Sequence, residues 1–507
     1  MTTDSLSTSA RTALPFWARP AGVVFFAGLW TAVFLFIAIA LRSNIGNDDA
    51  LEVYQSQSLE LFYRARNPAL YDWLLYGLIR LGGSPFASVA FLNYISIFVC
   101  ALLLYCLARR VILDPRLQAL SVYSLALIWV VAYDSHRILT HTNINIIIIA
   151  ATLLTVHSLG RERKVAGYLL LGALFVAGML AKYAYGVFFG ALVAAALLEA
   201  HYRRVILDPR FLLTLVVAAT PFAVLAGVFA NELQTILTTV DGVVQTGREN
   251  SVIHKSGTLA AAFIGYLLPF LAVYFGSFFL RGTPPKTGTV HEEPFLRLLG
   301  IMLLLSMIAM IVWAFVVGST QLRSRYMHGV WLAAPLFFFM LIDRHAPPAR
   351  AFRSYLAATA TITLVVAGIF VVSRLAPSEA LCGTCRPSIP YQQLGEAIEA
   401  RYGPVPTLVG YTASEAGYLR AAVPGARTLS LDGHPYRPPA RPADNCLLVW
   451  QPDSRAQDRL ADILAQNGMP LLPDEEITLD WWAPLLPQTR QSTFMIQRLP
   501  PDSRLCE

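Results

Sequence analysis

Apolar runs of close to bilayer-spanning length recur along this chain, and they leave it few folds to adopt. Inside hydrocarbon every backbone N–H and C=O must be satisfied within its own segment, so such runs can only be helices or strands of a closed barrel. The runs here are continuous rather than alternating, which selects helices. Eleven candidates fall at about 21–41, 87–108, 117–133, 143–159, 166–181, 184–200, 211–230, 258–280, 296–317, 329–342 and 354–373. The first reads AGVVFFAGLWTAVFLFIAIAL. Only 14% of the 507 residues are charged, against about 25% in a soluble domain. The expected fold class is therefore a polytopic α-helical membrane protein. Residues 69–82 (ALYDWLLYGLIRLG) are apolar but too short to span, and read as an interfacial or re-entrant helix.

The net charge of +7 does not point to nucleic acid, because the basic residues sit mainly in short loops. Counted along the spans, one set of loops holds Arg109, Arg110, Arg116, Arg161, Arg163, Lys164, Arg203, Arg204, Arg210, Arg281, Lys286, Arg297, Arg344, Arg350 and Arg353. The positive-inside rule puts that set in the cytoplasm together with the N-terminus. The polar tail 1–20 and the length of the first span do not fit a cleavable signal peptide. An odd number of spans then carries residues 376–507 to the outer side. The expected domains are a cytoplasmic tail (1–20), a transmembrane domain (21–375) with a first outer loop at 43–86, and an outer domain (376–507).

That last region changes character. Residues 391–403 and 454–468 have helical periodicity ending at Gly403 and Gly468, and 406–411 and 445–452 read as buried strands, predicting a small α/β domain. Four of the six cysteines lie there: Cys382, Cys385, Cys446 and Cys506. In an oxidising compartment they allow three disulfide connectivities, of which Cys382–Cys385 with Cys446–Cys506 is favoured. The octapeptide RRVILDPR occurs at 109–116 and again at 203–210. Each copy sets an Asp-Pro at a helix start, where Asp caps and Pro fits the first turn.

The first outer loop opens with Asp48-Asp49, directly beyond the first span. Carboxylates so close to a bilayer need water or a cationic partner. The bland reading is a solvated loop with Asp49 capping the helix that follows. Other ionisable groups also gather on the outer side. Lys182 lies between two apolar runs, where a lysine can simply snorkel. Arg248, His254 and Lys255 share the loop 231–257. Arg323 and Arg325 precede a span against the charge trend, and His136, Arg137 and His141 share a short loop. Tyr54, Trp73 and Tyr183 could stack on a sugar, although interfacial aromatics need no ligand.

Taken together, these motifs resemble the bacterial family 39 glycosyltransferases, of the GT-C fold. This family includes the lipid A aminoarabinose transferase and the protein O-mannosyltransferases. The acid pair followed by ALEVYQSQS and then NPALYDWLLYGLIRLGGSP is similar to the family's first-loop signature, with Pro68 alone where the family often has two prolines. DSHRILTHTNIN (134–145), AGMLAKYAYG (177–186) and QLRSRYMHGVWLAAP (321–335) are similar to later segments, so the resemblance covers about 20–375. It implies transfer of a sugar from a polyprenyl-phosphate donor to a lipid, glycan or protein acceptor, at the periplasmic face of the bacterial inner membrane.

Within that resemblance Asp48 matches the catalytic acid, with Asp49 supporting it. Lys182, Arg248, His254, Lys255 and Arg325 become candidate donor-phosphate ligands. His136, Arg137, His141, Tyr54, Tyr183 and Tyr326 become candidate substrate contacts. No cofactor is required, although the acid pair could hold a divalent cation weakly. The alternative is a transporter or flippase of lipid-linked sugars, which predicts broken spans in two matching halves. The sequence lacks such symmetry beyond the octapeptide.

Overall fold

The computed structural model describes residues 14–507 apart from 65–66, 138–139, 222–251, 280–291, 317–330, 346, 406, 442–444, 453 and 487–489. The described elements of the membrane region are helices, joined by irregular loops. Helix α1 (Pro20–Ala40) has Pro at its first position, where the missing N–H costs nothing. After it come α2 (Asn47–Gln55), α3 (Leu70–Gly82) and α4 (Pro85–Val111). Gly83, at φ +78°, ends α3 in the left-handed conformation that glycine tolerates.

Further long helices are His141–Arg161, Val252–Phe278, Glu293–Val316 and Ala349–Leu375. Among the described residues five helices are long and apolar enough to cross a membrane, and seven if two sharply bent pairs each count as one span. The run at 117–133 is one such broken pair, bent by 69° between Leu127 and Trp129. The runs at 166–181 and 329–342 are the shorter helices Val165–Ala181 and Ala334–Ile342.

The basic loops meet at one end of the bundle. Arg110 donates to Ser158 at 2.7 Å, Arg161 pairs with Glu292 at 2.6 Å, and Arg163 pairs with Asp208 at 3.3 Å. Both octapeptide copies lie at this end. Asp114 accepts from the Arg116 N–H at 2.9 Å and caps the Pro115–Tyr123 helix as Asp-Pro predicts, whereas Asp208 accepts from the Arg210 N–H at 3.0 Å in a turn before the helix that starts at Phe211. Asp343 holds the first copy further by accepting from the Leu113 and Asp114 N–H groups.

The opposite end carries α2, α3 and the C-terminal domain. That domain is a five-stranded sheet in the order β2-β1-β3-β5-β4. Its strands are β1 (Thr407–Gly410), β2 (Arg427–Ser430), β3 (Cys446–Trp450), β4 (Glu475–Asp480) and β5 (Gln491–Leu499). The first three run parallel and β5 turns antiparallel to β3. Gly403 and Gly468 lie beyond the helices Tyr391–Tyr402 and Ser454–Gln466 at positive φ. Both favoured disulfides, Cys382–Cys385 and Cys446–Cys506, are present.

The domain is fastened to α2. Its Ala413–Ala422 helix packs along α2 so closely that a Cβ at Gly417 would overlap the Ala50 carbonyl. Gln57, just past α2, pairs through both amide groups with the backbone of Thr428 on the edge strand β2, at 2.9 and 3.0 Å. The Tyr54 hydroxyl donates to the Tyr436 carbonyl at 3.0 Å.

Candidate active site at the acidic loop

Asp48 and Asp49 are adjacent in sequence and different in environment. Asp49, in the first turn of α2, accepts from the Gly46 N–H at 3.2 Å and from Asn93 Nδ2 at 3.3 Å, and pairs with Arg42 at 3.6 Å. Tyr71 in turn donates to Asn93 at 3.0 Å. Burial pushes the Asp49 carboxyl up, while Arg42 and the Gly46 N–H pull it back. Burial likewise lowers Arg42, against the opposing charge of Asp49. Asp48 is half-buried, and among the described residues its carboxylate has no hydrogen bond or ion pair. One acid of the pair is thus committed to holding the loop, and the other is open to a ligand.

One helical turn along α2, Glu52 is fully buried between Arg64 and His141. Arg64 donates to it at 2.6 Å and His141 lies at 3.0 Å. Asp72, on α3, shares a hydrogen bond with the same carboxylate. Burial raises Asp72, and the Glu52 charge raises it further, so Asp72 is the member that keeps the proton. Burial acts on Glu52 in the same direction, but His141 and Arg64 outweigh it and hold Glu52 below the usual carboxylate range. The ligating atoms of Glu52, Asp72 and His141 lie within 4.8 Å of one another, a donor set that a divalent cation could use. The Arg64 guanidinium supplies the positive charge there, and a cation fits this environment poorly.

His141 therefore meets the acidic loop through Glu52, and Lys182 joins it one residue further along. Its ammonium donates to the Thr142 hydroxyl at 2.6 Å. Tyr183 lines an apolar groove with Leu61, Phe62, Pro68, Val176, Met179 and Leu180. His136 stacks on Phe34 at 3.8 Å and its Nδ1 meets the Tyr94 hydroxyl at 3.2 Å. Arg137 is exposed, donating to Tyr133 at 3.2 Å. Tyr54 lies in the joint with the C-terminal domain, and Trp73 donates to the Glu60 carbonyl at 2.7 Å. Arg248, Arg323, Arg325 and Tyr326 lie outside the described residues, as do the side chains of His254 and Lys255.

Sequence reasoning missed Arg42, Glu52, Arg64, Asp72 and Arg374. Arg374 carries the same signal that marked Arg325, a cation at the outer end of a span. Glu52 follows Asp49 at the spacing that places both on one helical face. Arg64 and Asp72 gave no local signal, because their partners come from other elements.

Comparison with known proteins bears on this arrangement. A family model described as dolichyl-phosphate-mannose-protein mannosyltransferase matches residues 66–226. Two lipopolysaccharide core galacturonosyltransferases of Rhizobium johnstonii are similar. RgtB is 26% identical over 428 residues, covering 82% of this chain and 84% of that protein. RgtA is 26% identical over 383 residues, covering 72% and 74%. ArnT from Cupriavidus metallidurans bound to undecaprenyl phosphate superposes with a TM-score of 0.59 at 16% identity, over 96% of this chain and 100% of that one. The same ArnT in the apo state gives 0.60 at 15% identity, over 94% and 98%.

The chain has the GT-C fold of ArnT. Its long and bent helices carry the acidic loop and the α/β cap. The transporter alternative has no support among these relatives.

Proposed function

We propose that the protein transfers a sugar from a polyprenyl-phosphate carrier to a lipid, glycan or protein acceptor at the outer face of the bacterial plasma membrane. Its domains are those read from the sequence: the tail 1–20, the membrane domain 21–375 and the outer cap 376–507. Orientation is supported by the clustering of the basic loops at one end and the two disulfides at the other.

Asp48 is the general base of this reaction. The acceptor O–H gives its proton to the Asp48 carboxylate while its oxygen attacks the anomeric carbon. The bond from that carbon to the phosphate oxygen breaks, and the carrier phosphate leaves with the electron pair. Departing charge needs a cation, and Lys182 is the chain neighbour of Tyr183, which lines the apolar groove. That groove suits a lipid tail tethered to the phosphate. The observation that carries the assignment is the open carboxylate of Asp48 beside the fully engaged Asp49.

Transfer of labelled sugar by the protein in lipid nanodiscs tests it. Asp48→Asn keeps shape and removes the base, so turnover should fall by about 10²–10⁴-fold with an unchanged melting temperature. Near-normal transfer by Asp48→Asn would sink the assignment.

A further inference from the structure

Two arginines lie buried beside the acidic loop with too little negative charge to balance them. Arg42 follows α1, and Arg374 sits in the last turn of the Ala349–Leu375 helix. The Arg42 side chain is 6% exposed, and Arg374 is 8% exposed. The two helices meet one turn below Arg374, where the Phe34 and Phe370 rings are 5.8 Å apart. Arg374 lies within the electrostatic reach of Arg42 and Asp49, and Asp49 is already paired with Arg42. Asp49 binds Arg42 at 3.6 Å and no carboxylate pairs with Arg374 among the described residues. The Nε and one terminal nitrogen of Arg42, and the Nε of Arg374, are buried without a hydrogen-bond partner among those residues. A buried guanidinium with open donors is costly unless an oxyanion completes it. Arginine's planar fork suits a carboxylate or a phosphate.

We propose that Arg42 and Arg374 form a subsite for the carboxylate of the transferred sugar, making the donor a polyprenyl-phosphate-linked uronic acid. This rests on the polyprenyl-phosphate-sugar reading above. Such a donor has two anionic groups, and the site has two separate cationic places. The phosphate is tethered to the lipid tail, so it belongs with Lys182 beside the apolar groove. The arginines stand on a different wall. Arg42 meets the first turn of α2 through Asp49, whereas the His141–Thr142–Lys182 side meets the next turn through Glu52. One turn is a rise of about 5.4 Å, and Asp48 lies at the Arg42 end. A sugar held between these places presents its phosphate to one and its carboxylate to the other.

Binding in detergent micelles tests the subsite with three probes: polyprenyl phosphate, polyprenyl-phosphate galactose and polyprenyl-phosphate galacturonate. Wild type should bind the galacturonate at least about tenfold tighter than the galactose, the scale of one charge-assisted contact. Arg374→Gln should collapse that ratio towards one, and Arg374→Lys should restore part of it. A variant that merely misfolds would weaken all three probes and shift its melting temperature, leaving Arg374→Lys to decide. Equal binding of the two sugars by wild type overturns the subsite. So does a well-folded Arg374→Gln that weakens all three probes alike, which would make the arginines a phosphate site. Transfer is read separately. Discrimination in binding without transfer from any donor sinks the enzymatic reading and leaves the subsite standing. Transfer from both sugars at equal rates and affinities does the reverse.

Discussion

Glu52→Gln and Asp72→Asn are nearly the same chemical change, each replacing a carboxyl by its amide in one buried cluster. They should differ sharply in effect. Glu52 is 0% exposed, with Arg64 at 2.6 Å and His141 at 3.0 Å. Neutralising it removes a buried ion pair with Arg64, a loss of about 3–5 kcal/mol. Asp72 holds the proton of its hydrogen bond to Glu52, because burial and the Glu52 charge both raise it. An asparagine can donate the same hydrogen bond, so Asp72→Asn should cost about 1 kcal/mol or less.

The two variants should also differ in pH dependence. A raised carboxyl contributes stability that is fully present below its unfolded value, near 4, and is lost as pH rises towards the folded one. Wild type should therefore lose melting temperature relative to Asp72→Asn as pH rises above the ordinary carboxylate value. Glu52 is lowered, so its contribution is present above the ordinary carboxylate value and lost only on strong acidification. The cost of Glu52→Gln should be flat over the same window. Tryptophan fluorescence melting in detergent measures both, with nine tryptophans as reporters. Equal damage from the two variants would refute the placement of the proton on Asp72, as would a wild-type–Asp72→Asn gap that does not change with pH.

Two further predictions concern the cap and the orientation. Gly417→Val should push the Ala413–Ala422 helix off the Ala50 carbonyl and so displace α2; overpacking of this kind costs about 1–3 kcal/mol. Transfer should fall while the isolated cap's disulfides still form, and wild-type transfer by this variant would show that the cap does not position α2. Gln466→Cys should react with an impermeant maleimide on intact cells, and Arg204→Cys only after the cytoplasm is opened. The opposite pattern would invert the proposed topology.

The membrane class was legible in the sequence because hydrocarbon imposes a local rule: each apolar segment must close its own hydrogen bonds, so run length and composition suffice. The cap's helix ends were legible for a similar reason, since Gly403 and Gly468 mark where the backbone turns left-handed. The octapeptide's Asp accepts a backbone N–H two residues on in both copies and caps a helix in the first, again through contacts within a few residues.

The site was not legible in this way, because charge pairing is a property of space rather than of spacing. Asp48 and Asp49 read alike in sequence, yet Arg42 and Asn93 claim Asp49 and leave Asp48 open. His141 stood out as a short-loop histidine, but its partner Glu52 comes from another element. Arg64 and Asp72 carry no pattern of their own and acquire their roles only where α2, α3 and the His141–Arg161 helix converge. Sequence alone determined that this chain crosses a membrane and sets acids at its surface. Only the tertiary structure decided which acid is structural and which is free, because burial and the neighbouring cations that separate them are supplied by other helices.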